Sequence, residues 1–256
     1  MNIRLPARHN SKLRSAIEAV NADPELTQLY ICANINAVDR SNLNDHGAVH
    51  IRIVANAALR LMRILVDADV VPSVVSDYGM EALDAEVIVV LAACLHDVGI
   101  AIHRDNHESH SLVIAYPKAR QLLQEIYREP QRTIMVSEIL HAITAHNWAE
   151  TCLTLEAGVV KVADALDMTQ GRSRIPYEAG SVNIHSVSAH AIEQVHIEPG
   201  KERPIRVEVV LNSSAGIFQV DELLQRKLKN STLAPYVEVV ARLESKTEPL
   251  SKVYKL

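Results

Sequence analysis

The chain is short of cysteine, of aromatic residues and of basic charge, and each shortage removes a class of function. Cys32, Cys94 and Cys152 are the only cysteines among 256 residues. They are too few and too scattered for a disulfide framework or a thiolate zinc site, and they fit a reducing compartment. Aromatic residues make up 4% of the chain, which argues against a base-stacking platform for single-stranded nucleic acid. Lys and Arg number 26 against 31 Asp and Glu, a formal charge of −5, so there is no global basic footprint for nucleic acid. No apolar run approaches the roughly 20 residues of a membrane span. The opening MNIRLPARHNSKLR lacks the apolar segment of a signal peptide. Internal repeats and low-complexity segments are missing too. The expectation is a cytoplasmic protein with no membrane partner.

What is present is enough apolar residue, 48% of the chain, to bury a sizeable core. The most pronounced stretch is VIVVLAACLHDVG, Val87 to Gly99, in which nine consecutive apolar residues end in His96-Asp97. Helix-compatible residues precede it, so the stretch predicts a helix apolar on nearly all sides, at the centre of a bundle. A histidine and an aspartate at its buried end are costly unless paired with each other or bound to a metal. An isolated pair of this kind most often caps a helix and starts a turn, so the rest of the chain has to decide.

Taken in order, Arg8 to Asn34 reads as helical with a break at Asp23-Pro24. Asn44 to Gly47 is a turn and cap cluster before a long amphipathic helix that runs to about Val66. His50, Ile53, Val54, Ala57, Leu61 and Ile64 form its expected core face, so His50 points inward near the helix start. Asp67 to Tyr78 reads as a connection. Ile100 to His110, IAIHRDNHESH, reads as a loop carrying three histidines and Arg104. Further helices are expected at about Ser109–Tyr127, Pro130–Ala145 and Leu155–Met168. His141 and His146 are about 140° apart around a helix, so at most one faces a shared pocket. After Gly171 the pattern changes. Ile192–Ile197, Ile205–Leu211 and Val237–Leu243 resemble strands, and Val220–Leu228 a helix. The chain therefore divides into a mainly α region over residues 1–175, a small α+β subdomain over 180–246 and a frayed tail over 247–256.

His50, His96-Asp97 and Asp164 thus fall on three different expected helices. Their order resembles the HD superfamily of metal-dependent phosphohydrolases, whose pattern is H…HD…D. The resemblance covers roughly residues 40–170, and NDHGAVH, LAACLHDVG and VKVADALD carry it. The IHRDNHESHS loop and the GRSRIP segment are further similar to archaeal-type members. The resemblance implies an HD-domain helical bundle, with His50, His96, Asp97 and Asp164 as metal ligands. Two imidazoles and two carboxylates independently suit a divalent Mn, Fe, Mg, Co or Zn ion. Such an ion lowers the pKa of a bound water, and Asp97 would ligate directly or bridge two ions.

One ion or two stays open. Binuclear HD branches add histidines, and His107 stands in the place of one, in an HxxxGA-like segment where Ser111 replaces the usual glycine. His146, after ILHAITA, stands in the place of another. The competing reading has one ion, with His103, His107 and His110 binding phosphate or donating protons to the leaving group. Asp97, Arg104 and Lys161 form the expected catalytic set. Arg104 clamps phosphate or pairs with Asp105 or Glu108, and Lys161 contacts phosphate or pairs with Asp164. Arg104, His103, His110, Arg172 and Arg174 are the expected substrate contacts, the last two alternatively holding the subdomain in place. His141 reads as structural or as hydrogen-bonded to a ligand, and Trp148 as packing or as a pocket wall. The resemblance implies hydrolysis of a phosphoester or phosphoanhydride in a small molecule such as a nucleotide. Its rivals are an HD-fold di-iron oxygenase and a nucleotide sensor without turnover. The subdomain would cover the pocket or mediate a homodimer.

Overall fold

The run from Val87 to Leu95 does form the central helix. In the computed structural model, which describes residues 2–169, 188, 190–243 and 250–254, the helices are α1 (Ser11–Ala22), α2 (Pro24–Asn34), α3 (Ala48–Asp67), α4 (Ser73–Tyr78), α5 (Ala82–Leu95), α6 (His107–Leu123), α7 (Gln131–Ala145) and α8 (Leu155–Ala165). Valine and isoleucine favour strands, yet here they run through α5 because helices surround it and a capping box starts it. Glu81 and Asp84 satisfy each other's backbone N–H groups at its N-terminus. Every residue from Asp84 to Leu95 is buried, with α1, α3, α7 and α8 packed around it. Each large side chain so buried contributes about 1.5–3 kcal/mol. The one internal charge on α5, Glu86, accepts from Arg63 Nε at 2.7 Å and from Asn10 Nδ2 at 2.9 Å.

Three long-range hydrogen bonds fix the end of α5 and the turn after it. Tyr30 Oη on α2 donates to the Cys94 carbonyl at 2.9 Å. Asn36 Nδ2 donates to the carbonyls of Ile100 and Ala101 at 2.8 and 3.0 Å. Asn36 lies on a π-helical continuation of α2, Ile35–Arg40. The His-Asp turn is thereby held rigidly, followed by a 3₁₀ turn over Val98–Ala101.

Some local expectations are corrected. The core face of α3 runs through Ile51, Val54, Ala55, Ala58 and Met62, while Ile53 is 40% exposed, one position off the buried stripe. The connection after α3 contains the short α4. The histidine loop is shorter than expected, because α6 already begins at His107, and α8 ends at Ala165 rather than Met168.

The boundary expected at residues 175–180 lies outside the described residues. Beyond it, β1 (Ile192–Pro199), β2 (Ile205–Leu211), β3 (Val237–Leu243) and β4 (Leu250–Tyr254) form a sheet in the order β1-β2-β3-β4. The expected frayed tail therefore contains a strand, with Val240 opposite Val253 in an antiparallel pair with β3. Strands β2 and β3 run parallel, so a crossover must join them. It carries a π-helical stretch, Gln219–Leu224, that continues as α9 (Gln225–Lys229). This crossover packs on α8. Its descending arm comes so close that a Cβ on Gly158 would lie 2.2 Å from Thr232 Oγ1. Thr232 Oγ1 also donates to the Thr154 carbonyl at 3.0 Å.

Candidate metal centre

The helix ends of the bundle meet at one place. His50 is in the first turn of α3, His96 and His146 are the C-caps of α5 and α7, His107 opens α6, and Asp164 is the penultimate residue of α8. Three of these are helix C-termini, whose partial negative charge favours a cation. His50, His96, Asp97, His107 and His146 are all buried.

Asp97 divides the cluster in two. Its Oδ2 lies 3.2 Å from both His50 Nε2 and His96 Nε2. On that side Asp164 Oδ1 stands 3.4 Å from His50 Nε2 and 3.8 Å from His96 Nε2. Asp97 Oδ1 lies 3.2 Å from His107 Nε2 and 3.8 Å from His146 Nε2. Two groups could therefore hold a metal ion, His50 with His96 and Asp97, and Asp97 with His107 and His146.

The other ring nitrogens settle which atoms are free to ligate. His96 Nδ1 donates to the Ala93 carbonyl at 2.9 Å, and His146 Nδ1 donates to the Ile143 carbonyl. His107 Nδ1 is 3.1 Å from the Arg104 carbonyl. His50 Nδ1 is 2.6 Å from Asp167 Oδ2. Carbonyl and carboxylate oxygens accept, so for His50, His96 and His146 the proton of the neutral ring sits on Nδ1 and the lone pair on Nε2, whereas His107 Nδ1 also faces a guanidinium nitrogen of Arg104 at 2.7 Å and can accept from it. The Nε2 lone pairs of His50 and His96 face each other 3.2 Å apart, and the Nε2 atoms of His107 and His146 lie 3.3 Å apart. Electron-rich atoms facing each other in a buried site call for a cation or an added proton between them. Imidazole nitrogen and carboxylate oxygen fit a divalent transition metal or Mg²⁺.

The ionisation of Asp97 and His146 agrees. Burial alone would raise the Asp97 carboxyl, but the charge of His96 and the rings of His107, His50 and His96 hold it well below the usual carboxylate range. Burial, reinforced by His96, pushes His146 well below the usual histidine range, leaving it neutral, as a ligand must be. His96 goes the other way. Burial lowers it, yet Asp97 and Asp164 beside it carry it upward overall.

Ser111, which stands where a glycine was expected, has a defined task. Its Oγ donates to the His96 carbonyl at 2.6 Å and accepts from Gly99 N at 2.9 Å, tying the first turns of α6 to the His-Asp turn. His107 is thereby brought to Asp97.

The remaining expected residues separate. Arg104 lines the pocket beside the cluster, with one guanidinium nitrogen 2.7 Å from His107 Nδ1 and its buried Nε without a hydrogen-bond partner. Lys161 does not reach the pocket. It is 0% exposed, and its ammonium is held by the backbone carbonyls of Glu150 and Asn230, because the crossover docks against that side of α8. His103 is exposed and accepts from Asp105 N at 3.0 Å, so the loop turns it away from the cluster. His110 lies on α6 one position before Ser111 and does not line the pocket. Arg172 and Arg174 lie outside the described residues. His141 Nε2 accepts from Leu153 N at 3.1 Å, a structural role. Trp148 is 61% exposed at the pocket wall rather than packed.

Two participants were not singled out in the sequence, Asp167 although it ends VKVADALD, and Lys227 because it lies in no motif. Asp167 follows Asp164 by three residues, on the same flank, and orients His50. Lys227, on α9, forms an ion pair with Asp164 Oδ2. The pocket has a volume of about 1130 Å³ and is walled by the 41–46 loop, the 104–108 loop, residues 146–148, the end of α8 and the 219–227 crossover.

The cluster falls within a family match over the helical region. The sequence profile described as HD domain matches residues 48–169, a span that contains every residue of the cluster and ends before Lys227. An uncharacterised protein of Methanocaldococcus jannaschii is 46% identical over 212 residues, covering 83% of this chain and 82% of its own length. No solved structure matches. Among the described residues no helix is long and apolar enough to cross a membrane. With the H…HD…D residues gathered at one end of the bundle and a relative matching along most of the sequence, the chain belongs to the HD domain family.

Proposed function

We propose that this protein is a metal-dependent phosphohydrolase that cleaves a phosphoester or phosphoanhydride of a nucleotide or a related small molecule, with two divalent ions bridged by Asp97. The observation that carries this reading is the division of the Asp97 carboxylate, Oδ2 toward His50 and His96 and Oδ1 toward His107 and His146. Asp164 completes the first set. When bound, such ions supply Lewis acidity toward a phosphate oxygen and lower the pKa of a coordinated water to near neutrality.

The protein's own groups supply the rest. Asp167 keeps the His50 ring turned so that Nε2 faces the cluster, and the Ala93 and Ile143 carbonyls do the same for His96 and His146. Arg104 lines the pocket and brings a fixed positive charge to the His107 side, where a guanidinium suits a phosphate oxygen. A pocket of about 1130 Å³ is of the size that small-molecule sites of nucleotide dimensions occupy. A di-iron oxygenase would use a similar ligand set, but a guanidinium fixed beside His107 suits an anionic substrate better than dioxygen.

The test is a phosphate-release screen over nucleotides and dinucleotides with the Mn²⁺-, Mg²⁺-, Co²⁺- or Fe²⁺-loaded protein. Release from at least one class, abolished by Asp97→Ala, is expected. Oxygen-dependent turnover without phosphate release would replace this reading with the oxygenase, and tight nucleotide binding without turnover under any metal would replace it with the sensor.

A further inference from the structure

Asp164 has two carboxylate oxygens in two different environments. Oδ1 faces His50 and His96 inside the cluster, and Oδ2 faces the Lys227 ammonium. Lys227 does not come from the bundle. It sits on α9, in the crossover between β2 and β3, 63 residues after Asp164. The crossover reaches the pocket because it docks on α8 at Gly158. Lys227 and its neighbour Arg226 both line the pocket, and Arg226 is engaged by Glu222 at 2.7 Å. Lys227 is 18% exposed on its side chain, so it is open to the cavity while held in place.

We propose that Lys227 is a substrate-binding residue, supplied by the C-terminal subdomain to hold the phosphate group of the substrate at the Asp164 end of the metal pair. The proposal rests on the phosphohydrolase reading. Three physical points support it. A phosphate approaching this end meets the outer oxygen of Asp164, a like charge, and Lys227 neutralises that oxygen. An ammonium has three N–H donors, and Asp164 Oδ2 engages only part of them, leaving donors for a phosphate oxygen. Finally, Arg104 stands at the His107 end of the cluster and Lys227 at the Asp164 end, so positive side chains flank both ends of the site. On this view the subdomain does more than cover the bundle, because the phosphate site is incomplete without it.

The experiment uses the full chain loaded with Mn²⁺ and inorganic phosphate as the probe. Calorimetry gives the phosphate affinity of wild type, Lys227→Met and Lys227→Arg, with metal content and melting temperature measured on the same samples. Lys227→Met is expected to keep its metal and bind phosphate about ten- to a hundredfold more weakly, with Lys227→Arg recovering much of the loss. A lysine serving only as a clamp between subdomain and bundle would lower the melting temperature and leave phosphate affinity unchanged, which overturns the proposal. A footprint on the wild-type protein covers the case in which Lys227→Met does not fold. Phosphate should protect Lys227 from a lysine-acylating reagent, and unchanged reactivity also overturns the proposal. If the loaded wild-type protein binds no phosphate at all, the phosphohydrolase reading falls with it. If wild type binds and Lys227→Met binds equally, only the role of Lys227 falls.

Discussion

Replacing Gly99 with alanine should disable the second half of the metal centre from a position that touches no ligand atom. A Cβ on Gly99 would lie 2.2 Å from the His107 carbonyl oxygen and 2.2 Å from Ser111 N, with the His110 carbonyl carbon at 2.7 Å. All three atoms are backbone of the first turns of α6, so no side chain can swing aside. Relief requires α6 to retreat from the His-Asp turn by about 1 Å, stretching the Ser111 Oγ bridge to Gly99 N and His96 O. Overpacking of this kind costs about 1–3 kcal/mol, and the upper end applies because the clash is with main chain. At 3 kcal/mol the melting temperature of a chain this size falls by roughly 6–12 °C. The same retreat carries His107 away from Asp97 Oδ1, now 3.2 Å distant. The assays are thermal unfolding of the metal-free protein and metal content after loading. Both a lowered melting temperature and loss of the ion shared by His107 and His146 are expected. A variant with wild-type melting and wild-type metal content would refute the packing argument that places His107 in the centre.

Substitutions at three other positions address separate parts of the account. Asp167→Asn removes the carboxylate that orients His50 at 2.6 Å, and metal titration should show affinity weakened by about 10–100-fold. Arg104→Ala should leave metal content unchanged and lower kcat/KM by about 2–4 kcal/mol in transition-state terms, while Arg104→Lys recovers only part, since an ammonium lacks the planar fork. Wild-type kinetics in both variants would make Arg104 a bystander. Glu86→Gln tests the core. Burial opposes the Glu86 charge, but hydrogen bonds from Arg63, Asn10 and His9 hold its carboxyl below the usual range. A lowered folded-state pKa contributes stability above the unfolded value that is lost as pH falls through the folded one. The variant should therefore be less stable by on the order of 2 kcal/mol at neutral pH, with the gap closing in acid denaturation profiles.

The residues of the buried cluster were legible because each belongs to a local pattern that a single helix end creates. His50 sits on an inward stripe, His96-Asp97 terminates an apolar run, and Asp164 lies on the flank of a buried helix. His107 was readable only loosely, since the Ser111 bridge that justifies its position is a tertiary contact. Lys161 misled for a clear reason. Its spacing from Asp164 placed it near the same flank, but the carbonyls of Glu150 and Asn230 claim the ammonium, and Asn230 arrives from a part of the chain that spacing cannot connect. Lys227 was invisible for the same reason in reverse, because nothing in QRKLK marks it until the crossover docks on α8. The β4 strand was missed because LSKVY alternates too briefly to stand out, and pairing with β3 defines it.

The central claim is that Asp97 joins two metal sites in one buried cluster. Metal analysis of the purified, loaded protein, set beside His107→Ala, tests it most directly. The account predicts about two ions per chain in the wild type and about one in the variant, since only one site loses a ligand. One ion per chain in the wild type, left unchanged by His107→Ala, would contradict it.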